Sequence, residues 1–470
     1  MNVLDKKQNN EPFMLLELGI NENGYEFASD IKTALSTAEG ELDVVSAKLE
    51  ESLDSLKKLT PECDRTDYIL SACSGALCGI IDVFLEGKPG ESPIGEITDK
   101  WFAKRTEDFA RLCGWTGDKG NLSSAIRHLE KKFKIPYDQN GIGGIAKELL
   151  DLTPTNHHFK SLGHNPTILG FFFSILDQFT NTSHFVSEGE LIAFSKFDGD
   201  FYLEGKDIPS KLFCGFANWF GHLISDISGS LSGKGRGMGI PSPFWGWSND
   251  IIAIKRKLNL PVGEFDKSIN ELALDIYKQG YDARFQTTQA IPVFVNELLV
   301  RFIYSIRRLV KYFSMTKKDD RSFSVLWKSC EPFSNATIKR MLTVAHGTFC
   351  AIDAGDAIAK GFVSGGGSFN VTEFVLRLNI VGIGRFTFSL YGEANTGLKR
   401  HALKEDIIIL KREKLILAEY ADGLNILAEI YDDESLLLFT KELKESDMYV
   451  HAFEKTVLLA KKEMFQRMIY

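Results

Sequence analysis

A chain of 470 residues with 44% hydrophobic and 25% charged residues is a folded protein, and it is too long for one ordinary core. Its formal net charge of −8, with no nucleic-acid motif in sight, argues against a protein that coats nucleic acid. Seven scattered cysteines without a CxxC pair signal neither a zinc ribbon nor a disulfide framework, and read as thiols in a reducing compartment.

Residues 1–25 read as a polar arm. Asp5, Glu11 and Glu17 leave no basic-then-apolar leader pattern, so the expected location is the cytoplasm or the inner-membrane surface. From Ala28 to Leu59, the residues Ile31, Leu35, Leu42, Val45, Leu49, Leu53 and Leu56 recur at helical spacing, and Pro61 stops the helix. A second helical region spans Arg65 to Leu85. Its uncharged part, Ile69 to Ile81, sets Ser71, Gly75 and Gly79 four apart, a spacing that lets two helices approach closely until Asp82 interrupts it. No stretch reaches the roughly 18–20 charge-free apolar residues of a membrane-spanning helix.

Ile97 to Leu112 is helical, and the Gly141-Ile142-Gly143-Gly144 turn leads to a short helix ending at Leu150. Asn165-Pro166 is a helix-start pair, with Asn165 as the expected cap. Leu191 to Phe194 and Phe201 to Leu203, joined by Asp198-Gly199-Asp200, read as a β-hairpin inserted at 188–205. A helix from Lys211 to Ile227 follows. The glycine-rich loop Ser228 to Pro243 then carries Lys234 and Arg236, which suit contact with an anion. It lacks the Walker A spacing, and no nucleotide-cofactor motif occurs elsewhere.

Helices are expected at Phe265 to Gln279 and at Val293 to Phe313, whose Arg301, Arg307 and Arg308 are read as partners for Asp353 and Asp356. Met315 to Ser322 is a polar linker and an expected domain edge. Helices at Asn335 to Ala359 and Val371 to Leu390, a short strand at Ile407 to Leu410, and charged amphipathic helices complete the chain. The predicted fold is mainly α, a multi-helical bundle with a small β-hairpin insertion. Three regions are expected: an arm and amphipathic helix at 1–60, a helical core at 61–315, and a C-terminal helical region at 316–470.

Five of the nine histidines fall between Thr155 and Ser228: His157, His158, His164, His184 and His222. His222 and Asp226, four apart on one predicted helix, share a face with Asn218 one turn earlier. His157, His158 and His164 lie in the loop before another helix, so loop ligands and helix ligands can converge. Imidazoles with a carboxylate suit zinc, or manganese with more oxygen ligands. A buried His-Asp pair that only fixes a tautomer is the alternative reading.

These segments, His157 to His164 and Asn218 to Asp226, resemble the bacterial membrane-bound metal-dependent hydrolases and, more distantly, the helical zinc-dependent phospholipases C. That resemblance implies metal ligation by His157, His164, His222 and Asp226, with His158 a further candidate. Through Asp64-Arg65-Thr66-Asp67-Tyr68, Asn156-His157-His158 and Ile240-Pro241-Ser242-Pro243, the whole chain is similar to a family of uncharacterised bacterial proteins. Two functions are therefore expected. One is a metal-assisted hydrolase of a phosphoester or lipid-like ester. The other is a non-enzymatic helical effector or scaffold that self-associates or binds a membrane surface, to which the 35 phenylalanines are suited. No nucleic-acid partner is expected.

Overall fold

Proline, asparagine and aspartate at predictable places start most of the helices that make up this protein. The structure, a computed structural model, describes residues 24–133, 150, 152–153, 156–180, 182–195, 205–229, 239–333, 335–432, 455–457 and 459. The Gly141–Gly144 turn, the expected strand Phe201–Leu203 with its turn, and Lys234 and Arg236 lie outside these residues. Among the described residues, the secondary structure is helical apart from one two-stranded antiparallel hairpin, as the sequence predicts.

The chain divides into two units, Met1–Thr60 with Thr396–Tyr470, and Pro61–Asn395. In the smaller unit, α1 (Gly24–Leu59) packs Ile31, Ala34 and Ala38 against Ala421 and Leu424 of the last helix. Ile31, Val45 and Leu49 are buried as their spacing implies, while Leu53 is left exposed.

The larger unit begins with α2 (Arg65–Ile81), which runs on through a π-turn at Asp82–Glu86. Asp64 and Asp67 cap each other across its first turn, at 2.9 and 3.1 Å. Then come α3 (Pro93–Leu112), α4 (Leu122–Lys132), a single helical turn at His157–Lys160 and a 3₁₀ turn at Leu162–His164. Next are α5 (Ile168–Thr180), β1 (Thr182–Ser187), β2 (Glu190–Ser195) and α6 (Ile208–Asp226). The rest is α7 (Pro243–Lys257), α8 (Glu264–Lys278), α9 (Ala283–Met315), α10 (Phe323–Cys330), α11 (Ala336–Ser364), α12 (Val371–Arg377) and α13 (Ile380–Asp432).

The glycines of α2 do what their spacing predicts. A Cβ on Gly75 would lie 2.1 Å from the carbonyl oxygen of Ala345, and one on Gly79 would lie 3.1 Å from the Ile352 side chain, so α2 lies backbone to backbone on α11. Met341, Ala345 and Phe349 are buried on the α11 side, and Val300 and Tyr304 come in from α9.

Four expectations need correction. Leu191–Phe194 is a strand, and among the described residues its partner lies upstream: β2 pairs with β1 in a register ending at Ser187↔Glu190. The turn is Glu188-Gly189, both at positive φ (51° and 79°), which gives the twist a two-residue hairpin needs. Glutamate rather than asparagine at its first position, and buried polar Ser183 and His184 in β1, hide it from a period-two reading.

Arg307 and Arg308 do not reach Asp353. They form ion pairs with Asp64 and Asp67 at the N-terminus of α2. Asp353 lies with Asn379 and Gln289 instead, and about 27 Å of helix separates Gln289 from Arg307.

Ile407–Leu410 continues α13 as helix, four apolar residues being too short a run to fix a period. Finally, the polar stretch Met315–Ser322 lies inside the larger unit, where Tyr312 and Ser322 bond each other and tie α10 back to α9.

Candidate metal centre

Asp207 caps α6 and Pro209 sits in its first turn, so the helix starts cleanly and its period carries Asn218, His222 and Asp226 onto one buried face. The histidine loop is held against this face by bonds to backbone. Asn156 Oδ1 accepts from Thr153 N (2.7 Å), and Lys160 Nζ donates to the Leu150 carbonyl (2.5 Å). Asn249 Nδ2 of α7 donates to the Phe159 carbonyl (2.5 Å), and Trp219 Nε1 of α6 donates to the Asn165 carbonyl (3.1 Å). Ser161 also forms a bridge to Phe185 of β1.

Asn165 is not the cap of α5. Thr167 Oγ1 accepts from Gly170 N at 3.0 Å, and this leaves the Asn165 side chain fully buried beside His164.

The two segments meet as the ligand reading requires. His222 Nε2 lies 2.7 Å from His164 Nε2 and 2.8 Å from Asp226 Oδ2. The same carboxylate oxygen is 3.3 Å from His158 Nδ1 and 3.8 Å from His164 Nε2. These separations straddle the roughly 3.3 Å edge of a tetrahedron built from zinc–ligand bonds of about 2.0–2.1 Å. One Nε2 proton on His222 can serve His164 or Asp226, not both. Asp226 Oδ2 makes no well-formed hydrogen bond despite three imidazole nitrogens around it. A shared divalent cation would satisfy all four groups at once. His158, His164 and Asp226 alone form a group able to hold a metal ion, and His222 Nε2 stands beside it.

His158 therefore replaces His157 in the expected set. His157 stacks on His158, with ring centroids 3.8 Å apart, and its Nδ1 lies 3.3 Å from the Thr153 carbonyl. Both belong to one helical turn, and spacing alone could not say which ring faces α6. His184 goes elsewhere: its Nδ1 lies 2.6 Å from Asp177 Oδ1 in a buried pair at the start of the hairpin.

Burial, and then the crowding of neighbouring imidazoles, pushes the pKa values of His158 and His164 well below the usual histidine value. Both rings are neutral at pH 7 with lone pairs available, the form a metal needs. Ser225 was missed by sequence reading, being an ordinary helix serine by its neighbours. Its single hydroxyl proton can go to the His222 carbonyl (2.7 Å) or to Asp226 Oδ1 (3.1 Å), and in the second arrangement it holds one carboxylate oxygen and leaves Oδ2 to the imidazoles. Ser225→Ala is expected to weaken zinc affinity about 10–100-fold with little change in fold, measured by competition with a chelating dye.

Beyond the centre, Asp282 and Arg284 pin both described ends of the glycine-rich loop. Arg284 donates to the Ser228 carbonyl (3.2 Å), and Asp282 Oδ2 accepts from Gly239 N (2.9 Å). Compared with known proteins, the chain matches no family model, no curated protein and no solved structure.

Proposed function

We propose that the protein is a metal-assisted hydrolase of a phosphoester or lipid-like ester, with His158, His164, His222 and Asp226 holding a zinc-class cation. The observation that supports this is the convergence of three imidazole nitrogens on the Asp226 carboxylate in a buried site. A cation held by three histidines and one carboxylate supplies a low-pKa bound water and polarises the scissile group. The chain's own contribution is to keep the histidines neutral and the ligands fixed by backbone bonds from α6 and α7. The glycine-rich loop, with Lys234 and Arg236, is the proposed contact for the anionic group, and it leaves Ser228 directly after α6.

The test is metal analysis of the purified chain beside a His222→Ala, Asp226→Ala double variant, followed by assay on a chromogenic phosphodiester and a short-chain ester. Bound zinc or manganese in the parent chain alone, with turnover that chelation abolishes, supports the reading. No bound metal, and no rise in melting temperature when metal is added, removes it.

A second reading, a helical protein that self-associates or binds a membrane, is favoured by a different observation. Arg65–Glu86 and Ala283–Met315 are long and apolar enough to cross a membrane by length and composition, and each is only 33% buried over that window. Ile69, Leu77 and Phe84 of α2 and Phe294, Phe302 and Val310 of α9 are exposed. Co-sedimentation with neutral and anionic vesicles tests the membrane form, and the absence of binding to both would remove it. The two readings are compatible if the ester is a lipid.

A further inference from the structure

Asp82 interrupts the apolar run of α2, and Glu86 follows one π-turn later. The structure brings both together with Asp353 of α11 in the core of the larger unit, all three within 2% of full burial. Asn379, fully buried between α12 and α13, organises them. Its Nδ2 lies 2.5 Å from Asp82 Oδ1 and 2.9 Å from Glu86 Oε2, and also reaches the Gln289 carbonyl of α9 (3.0 Å). Its backbone N–H donates to Asp353 Oδ2 (3.0 Å). One asparagine thus gathers three buried carboxyls around itself. Carboxyls crowded together out of water cannot all stay ionised, and a protonated one gains an O–H that can donate to its neighbour.

A second observation points the same way. Glu86 Oε1 is buried with no hydrogen-bond partner. A bare carboxylate oxygen without a donor is among the costliest groups to bury, whereas the carbonyl oxygen of a neutral acid is tolerated.

Among the described residues, the surroundings offer no balancing cation. The groups facing the three acids are Cys78 of α2, Tyr281 at the start of α9, Gln289 of α9, and Cys350 and Asp356 of α11. The nearby cations Lys88 and Arg377 pair with Glu373 and Glu91 instead. A metal fits poorly: among the described residues, the one group with ligand atoms close enough to hold an ion is the histidine centre, and the Asn379 amide occupies the space between Asp82 and Glu86.

We propose that Asp82, Glu86 and Asp353 form a proton-binding site in the core of α2, α9 and α11, and that losing its protons loosens α2 from α11. The carboxyls hold protons shared between them, and full ionisation places like charges in a packed interior. The helix contact at Gly75 and Gly79, with backbone against backbone, has no slack to absorb that repulsion.

Burial raises all three pKa values, and the charge of neighbouring carboxylates adds to it at Glu86 and at Asp353, which is pushed up to about 9. The sign follows from linkage. Groups whose folded pKa exceeds the unfolded value contribute stability that is fully present below the unfolded pKa, near 4, and is lost as pH rises through the folded value.

The experiment is infrared spectroscopy of the full chain across pH 5 to 10, with the melting temperature recorded in parallel. A carboxylic-acid C=O band that persists at pH 7 is expected, weakened in Asp353→Asn and in Glu86→Gln but not in Asp356→Asn. The fall in melting temperature from pH 5 to 9 is expected to flatten in Asp353→Asn. Absence of any protonated-carboxyl band from the parent chain at pH 7 overturns the proposal without need of a variant. So does a melting-temperature rise on adding sodium, calcium or magnesium that Asp353→Asn removes, since that would make the site a cation site.

Discussion

Gly75→Ala is expected to destabilise the larger unit by about 3 kcal/mol, the upper end of what overpacking a filled core costs. The added Cβ meets the carbonyl of Ala345 at 2.1 Å, and a backbone atom cannot swing aside as a side-chain tip can. Relief requires α2 and α11 to part along their length, which exposes Cys78 and Phe349 and disturbs the capped end where Asp64 and Asp67 meet α9. Gly355→Ala on α11 is the internal control. Nothing lies within 4 Å of its would-be Cβ, so it is expected to stabilise the helix by about 0.5–1 kcal/mol. Urea midpoints at constant slope read both. Equal effects from the two substitutions would mean that glycine content, not the close approach, sets the stability of this contact.

Asp226→Asn and His164→Ala are each expected to cost more than about 100-fold in zinc affinity, above what losing an outer hydrogen-bond partner costs. Asp226 Oδ2 is the atom on which the imidazoles converge, and His164 Nε2 is the nearest nitrogen to His222. The readout that separates a metal role from a structural one is the stabilisation on loading. With zinc at a hundred times its dissociation constant, the parent chain gains about 2.7 kcal/mol and the variants gain almost nothing. A hydrogen-bonded His–Asp core with no metal role predicts the opposite: all three proteins ignore zinc, and only the metal-free melting temperatures differ.

Much of this was legible in the chain. Helical spacing placed His222 and Asp226 on one face of α6, and small residues four apart announced a close helix contact for α2, whose partner proves to be α11. The mainly α class followed from the same periodicities. What escaped had physical causes. His157 and His158 are neighbours on one turn, and only the docking of that turn by Asn249 and Trp219 decides which ring faces Asp226. The acidic cluster draws Asp82 with Glu86, Asp353 and Asn379 from three stretches of chain, and no local pattern pairs residues so far apart. Asp82 was visible as a break in an apolar helix, and a buried acid one π-turn before another was the clue available there. The strand β1 was missed because its turn carries glutamate and it buries polar residues.

The anchoring of the histidine loop bears on how the protein is made. Three bonds that fix residues 156–165 come from chain synthesised later: Phe185 of β1, Trp219 of α6 and Asn249 of α7. On a ribosome that extends the chain from its N-terminus, the loop emerges with its imidazoles unplaced and waits for about ninety more residues. Contacts so distant in sequence form slowly, because the intervening chain must first be closed into a loop. If the centre holds the proposed metal, ions supplied only after folding would have to enter a site already buried.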